Sequence, residues 1–430
     1  MNRFLMTWLL ASTMVFFGHQ RGDASPPLYV FADVADGQLG MINTETDQII
    51  QIDVVNLPGW PGNGVVHKQH AWATPDGETI YMSIDSSAPS PGGFVAFQVN
   101  DIDWNGGSAD LEIIGSMLVA QPGEASDFPS PQQINPSQPI AGWTQPPITQ
   151  IHGPCFRPNS PYSYATIWTD DRILAFDYTA NDFNQAAWTY SYGDFSAQTH
   201  GLVFNSNGNI ALGTGYYYDD SKINVYYFLE NSPTPIPLYS IDLFEGNKQG
   251  AFTHYTVWLD NRYAYTASMQ FAATSLSPEG QKISPPAVWL LDVLTGQAKR
   301  VIGTAETADD AGIFRSPSDQ VIANGKLYVA EEDTLDGSYG NDGFVSVFDL
   351  KNPRKPRFIK RLKPAGELPA DFSVAHGLAV TPDQKSVYVA SYASGYIVKI
   401  ETTNDTVDKV WGKSQGLTTP HGGFIAGSSR

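Results

Sequence analysis

Cysteine is almost missing from this chain: its 430 residues contain one, Cys155. No intrachain disulfide can form, so the fold has to be held by burial and hydrogen bonding. Positive charge is scarce too, with 25 Lys and Arg against 44 Asp and Glu and a formal charge of −19. So acidic a surface repels phosphate backbones and anionic lipid headgroups inside the Debye length, which argues against nucleic acids and membrane surfaces as partners. Long apolar runs are limited to one, Phe4 to Gly18. With Arg3 before it and the small residues Gly22 and Ala24 after it, the run reads as a secretory signal over residues 1–24, and it is short for a membrane span. Cleavage there would remove two arginines and one aspartate and leave a formal charge of −20. The expected location is periplasmic or secreted, with no membrane attachment beyond that segment. Charged residues make up only 16%, whereas aromatics reach 12% and there are 39 Gly and 30 Pro, a balance that favours short strands and tight turns over surface helices.

What the sequence does have is a repeat. His376 to Val407 reads as strand, turn, strand, turn, strand, turn, with breaks at Pro382-Asp383, Gly395 and Asn404-Asp405. Copies begin at His70, His152, His200 and His254, and a further copy at Ser316 has lost the histidine. The last copy is divided between the chain ends. His421-Gly-Gly-Phe-Ile-Ala is a first strand with nothing after it, while Tyr29 to Asn43 starts at a second strand. Joining them completes a unit, and the second-strand anchors Tyr29, Tyr81, Tyr164, Ile210, Tyr265, Tyr328 and Tyr388 then count seven. Units of four antiparallel strands arranged in a circle make an all-β, seven-bladed β-propeller over residues 25–430, closed by a C-terminal first strand pairing with N-terminal strands. Residues 121–147, rich in Pro, Gln, Ser and Gly, are expected to be an irregular surface insertion, and Gln270 to Pro286 a shorter one.

Tyr29-Val-Phe-Ala-Asp, Tyr328-Val-Ala-Glu-Glu and Tyr388-Val-Ala-Ser-Tyr, each followed by a Gly-containing hairpin, resemble the YVTN-type propeller repeats of secreted bacterial and archaeal proteins. The resemblance covers nearly the whole mature chain and speaks to fold, not function. The chemistry lies in the histidines. Six of them, His70, His152, His200, His254, His376 and His421, open the innermost strand of a blade, and innermost strands line the axis of a propeller. Several imidazoles meeting in a narrow channel suit zinc, copper or non-haem iron. The competing reading is six histidines that hydrogen-bond across the channel mouth and bind nothing. Six imidazoles exceed the needs of one tetrahedral zinc, which leans towards copper. The set is similar to the copper-binding propellers of nitrous oxide reductase and thiocyanate dehydrogenase; it also resembles periplasmic zinc metallochaperones. No second domain with paired cysteines is present for an electron-transfer copper, so nitrous oxide reduction itself does not fit.

Asp319, with Glu331 and its neighbour Glu332, puts carboxylates on the blade that lacks a histidine. These are candidates for completing a metal site or orienting a water, against the alternatives of turn capping and solvated edge charge. The gap in the ring at that blade is a candidate substrate entrance. His67 reads as a surface residue and Cys155 as a buried apolar one, pointed away from His152 by strand alternation. There is no Gly-x-Ser-x-Gly elbow and no glycine-rich phosphate loop. The expectation is a copper-dependent oxidoreductase acting on a small sulfur- or nitrogen-containing molecule, with a periplasmic electron acceptor. Two alternatives stay open: a zinc metallochaperone and a metal-free interaction scaffold.

Overall fold

The computed structural model describes residues 27–33, 37–61, 68–84, 92–119, 132–133, 151–167, 172–180, 187–191, 199–215, 222–245, 248–249, 253–269, 282–283, 286–303, 316–332 and 343–426. Residues 1–24, where the signal is expected, His67 and most of both insertions lie outside them. Among the described residues helix is limited to two short 3-10 turns, and no helix is long and apolar enough to cross a membrane.

Seven antiparallel sheets carry the fold. In each, the strands run outwards from the axis. Blade 1 is Pro420–Ile425, Leu28–Asp33, Gln38–Asn43 and Ile49–Asp53; blade 2 is Lys68–Ala73, Thr79–Ile84, Gly92–Asp103 and Ser108–Val119; blade 3 is Ile151–Phe156, Tyr162–Ile167, Arg172–Asp177 and Ala187–Ser191. Blade 4 is Thr199–Phe204, Ile210–Gly215, Lys222–Phe228 and Pro235–Asp242; blade 5 is Thr253–Trp258, Tyr263–Ser268, Ala287–Asp292 and Gln297–Ile302. Blade 6 is Pro317–Ala323, Lys326–Glu331, Phe344–Asp349 and Arg357–Leu362; blade 7 is Ala375–Val380, Ser386–Ser391, Tyr396–Glu401 and Thr406–Trp411. The count, the anchors and the split blade agree with the repeat. The larger insertion departs from its expectation at one point: Gln132–Gln133 pairs in parallel with Tyr190 and Ser191 and adds a fifth strand to blade 3.

Second strands such as Leu28–Asp33 and Ser386–Ser391 are buried along their whole length instead of alternating. The reason is that each blade covers a neighbour with both of its faces. Seven buried clusters result, one between each pair of adjacent blades. Tyr29, Tyr388 and Trp411, for example, stack between blades 1 and 7, with centroids 5.0 and 5.9 Å apart. Arg157 ties blade 3 to blade 4 by donating to the carbonyls of Gly208, Leu229 and Ser232. The seven innermost strands touch one another in an unbroken circle.

The circle is latched where the chain ends meet. Leu28–Asp33 pairs antiparallel with Pro420–Ile425. The buried Asp33 carboxylate accepts the Thr418 and Thr419 N–H groups at 2.8 and 2.9 Å and the Thr418 hydroxyl. Lys399 adds an ion pair to Asp47 at 2.8 Å across the same seam. Replacing Asp33 by Ala strands two backbone donors at the seam, so Asp33→Ala is expected to lower unfolding stability by about 3 kcal/mol in urea titrations. A change below about 0.5 kcal/mol would show that strand pairing alone closes the disc.

Candidate metal centre

Each histidine reaches the axis through a small irregularity in its innermost strand. In blades 3 and 7 the pairing slips just after His152 and His376, at Gly153 and Gly377, which have φ of +52° and +66°. A Cβ on Gly153 would lie 2.4 Å from the Gly201 Cα, and one on Gly377 2.3 Å from the Gly422 Cα. Only glycine allows the strands this approach. His200, His254 and His421 occupy the same register as His152 and His376. His70 does not: its strand is one residue shorter up to the turn, so His70 sits one place later, where the others have glycine or Tyr255. The bulge between Lys68 and Ala71 is the same one that blades 4 and 5 carry, so His70 lies within it one place later, and the ring is still completed. Hydroxyls from second strands hold the backbone in place, Thr166 at 2.8 Å from the His200 carbonyl and Thr214 at 2.8 Å from that of His254.

The six imidazoles form one closed ring. Neighbouring centroids are separated by 4.9 Å for His70 and His152, 4.4 Å for His152 and His200, 4.1 Å for His200 and His254, 5.0 Å for His254 and His376, 4.3 Å for His376 and His421, and 4.7 Å for His421 and His70. His70 Nε2 lies 3.3 Å from His152 Nδ1. All six are buried, His376 the least so at 9% exposure. Tyr255 packs edge-on to His200 and His254. Tyr392, 38% exposed, stands 4.9 Å from His421 and 5.9 Å from His376.

Burial, and then the neighbouring imidazoles, hold His152 and His254 well below the usual histidine range. Both are therefore neutral, the form that ligates metals. The donor chemistry fits a borderline transition metal; the spacing is looser. No group of three or more His, Cys, Asp or Glu side chains among the described residues is arranged to hold an ion as it stands. The centre of a flat six-sided ring with these sides lies about 4.5 Å from each centroid, roughly 1.5 Å farther than a metal–nitrogen bond requires. An ion bound here needs several rings to turn inwards or must sit off centre.

Blade 6 behaves differently from its sequence. Pairing places Ser318, not Ser316, in the histidine register, and its hydroxyl lies 3.3 Å from the Ala375 carbonyl. His254 and His376 meet directly across this blade, so the absent histidine leaves no break in the ring. Asp319 accepts the Leu378 N–H at 2.7 Å and joins the innermost strands of blades 6 and 7. Gln320 donates to the Tyr255 carbonyl at 2.5 Å. Glu331 is fully buried, and its bonds run outwards across the blade to Ser346 and to Arg361, at 2.9 Å from Arg361 Nη2. The carboxylate that reaches the ring is Glu332, whose Oε1 meets His376 Nδ1. Cys155 packs between blades 3 and 4 with Tyr164, Leu202 and Ala211. Sequence reasoning passed over Tyr255, Tyr392, Ser318 and the hydroxyls of Thr166 and Thr214. A Thr at matching places in the second strands of blades 3 and 4 was the available signal for the last two.

No protein-family model and no curated protein matches the chain. Solved structures share its architecture. The dihydro-heme d1 dehydrogenase NirN in complex with DHE is 12% identical over 96% of this chain and 78% of that one, with a TM-score of 0.55. Hydrazine synthase of Kuenenia stuttgartiensis is 12% identical over 87% and 94%, with a TM-score of 0.52. A protein from Lactobacillus plantarum is 11% identical over 93% and 98%, with a TM-score of 0.57. Likeness at this identity shows the propeller fold alone.

Because the fold holds His152 and His254 neutral, their contribution to stability is complete above the ordinary histidine pKa and is lost as pH falls below it. Urea unfolding of metal-free protein should show stability falling as pH drops from 7 to 5, with a slope that approaches about 1.4 kcal/mol per pH unit for each group below about pH 6.5 and that is reduced by these two shares in the His152→Asn, His254→Asn variant. Glu331→Ala, which removes the carboxylate paired with the buried Arg361, should cost on the order of 3 kcal/mol of stability and leave the ring's ligand binding unchanged. Loss of binding in the folded variant would return Glu331 to the site.

Proposed function

We propose that this is an exported, copper-dependent oxidoreductase acting on a small sulfur- or nitrogen-containing molecule at the six-imidazole ring. The observation that carries the reading is the closed ring itself: His70, His152, His200, His254, His376 and His421, from six different blades, brought within 4.1–5.0 Å of their neighbours on the axis. Packing does not require six imidazoles at one level of a channel, whereas soft or borderline metals take this ligand. Two structures of similar fold are named a dehydrogenase and a hydrazine synthase, which supports small-molecule chemistry as a use of such a fold. The apolar run at residues 4–18 supports export, periplasmic or secreted, where an electron acceptor would be met.

Bound copper would supply a redox couple and a Lewis acid. The chain's own part is to offer neutral nitrogens, to keep bulk water away by burying the ring, and to hold a proton at His376 Nδ1 against Glu332. Tyr392 lies where a small molecule would first meet His376 and His421. Asp319 and Glu331 support the blade that carries Glu332.

One observation favours a second reading. A ring whose members must turn to bind is suited to exchange, as a zinc metallochaperone requires. Elemental analysis of natively exported protein beside the His200→Ala, His254→Ala variant separates these. Two or more coppers per chain, lost in the variant, support the oxidoreductase. One zinc, lost likewise, favours the chaperone. Metal in neither protein overturns both and leaves a scaffold.

A further inference from the structure

The blade without a ring histidine still acts on the ring. Glu332 lies just beyond the second strand of blade 6, 5% exposed, and its Oε1 meets Nδ1 of His376 in blade 7. An ionised carboxylate only accepts hydrogen bonds, so the nitrogen facing it carries the hydrogen. A neutral imidazole has one N–H, and the other nitrogen is then a lone pair. His376 Nε2 is that atom, buried and with no hydrogen-bond partner among the described residues. If His376 carried both hydrogens, Nε2 would be a buried donor without an acceptor, which is the costlier arrangement.

We infer that Glu332 is a positioning residue that sets the tautomer of His376 and so makes Nε2 the leading donor of the ring. A contact between two imidazoles leaves this choice open. Where His70 Nε2 faces His152 Nδ1, either nitrogen can donate to the other, so imidazole-to-imidazole contacts permit more than one pattern of hydrogens around the ring. A group that cannot donate selects one pattern at the imidazole it meets, and for His376 Glu332 is such a group. It acts at the most exposed of the six histidines, beside the partly exposed Tyr392, so the selected lone pair is at the corner a ligand reaches first. On this view, blade 6 carries no ring ligand of its own and supplies the residue that orients its neighbour. The tautomer assignment stands independently of any metal; its use in binding rests on the metal reading above.

The test is long-range proton–nitrogen NMR of metal-free protein labelled with nitrogen-15 histidine, with the His376 signals identified by their loss in His376→Asn. The Nδ1–H tautomer is expected in the wild type. Glu332→Leu should populate the Nε2–H form, and Glu332→Gln, whose amide oxygen still accepts, should largely keep the original. Zinc affinity from chelator competition should fall on the order of 10–100-fold in the Leu variant and less in the Gln variant, at matched near-ultraviolet circular dichroism. An Nε2–H tautomer or an imidazolium in the wild type overturns the inference, as does an unchanged His376 signal in the Leu variant. Should that variant not fold, the wild-type and Gln spectra decide. A correct tautomer in a protein that binds neither zinc nor copper refutes the metal reading and leaves the orientation of His376 intact; metal binding with the wrong tautomer does the reverse.

Discussion

A blade of this protein buries both faces only if it has a neighbour on each side, and that requirement governs the rest. A sheet in an open row would leave its last face in water, so the row has to close. Closure is made by pairing Leu28–Asp33 with Pro420–Ile425 and fixed by Asp33 at the seam, which makes stability depend on both ends of the chain at once. With no disulfide to share the load, the seven inter-blade clusters and this latch hold the disc together.

Closing the disc also creates the site. Seven innermost strands drawn into a circle leave an axis too narrow for side chains at every level, and glycines at 153, 201, 377 and 422 let the backbones come together beside the histidines. Six imidazoles ring the space that remains. Crowding and burial then do the electrostatic work, because a cation among other imidazoles in a dry channel is penalised twice. The neutrality of His152 and His254 is thus a consequence of the fold rather than of any single partner.

Blade 6 shows how the disc tolerates a missing ring member. His254 and His376 lean together across it, while Asp319 and Gln320 bind the innermost strands on either side. The adjacent acids Glu331 and Glu332 go to different places, the first closing the strand and the second lying just past its end. One is committed to Arg361 within the blade, and the other turns to His376.

The number of blades, the closure and the six histidines were legible in the residue order, because they follow from local rules: a turn at fixed offsets, strand-like runs between, and a unit cut in two. Register was not legible where one residue is gained or lost, so His70 and Ser318 sit one and two places away from where the repeat suggested. Nor did residue order reveal whether the blade lacking a histidine opens the ring. Those outcomes depend on how backbones from different blades approach one another, and on which of two neighbouring carboxylates finds a partner across a seam. Asp319 and Leu378 are 59 positions apart in the chain, and Gln320 and Tyr255 are 65 apart. Such pairs meet only in three dimensions, and distance between blades, not spacing along the chain, decided the chemistry offered at the axis.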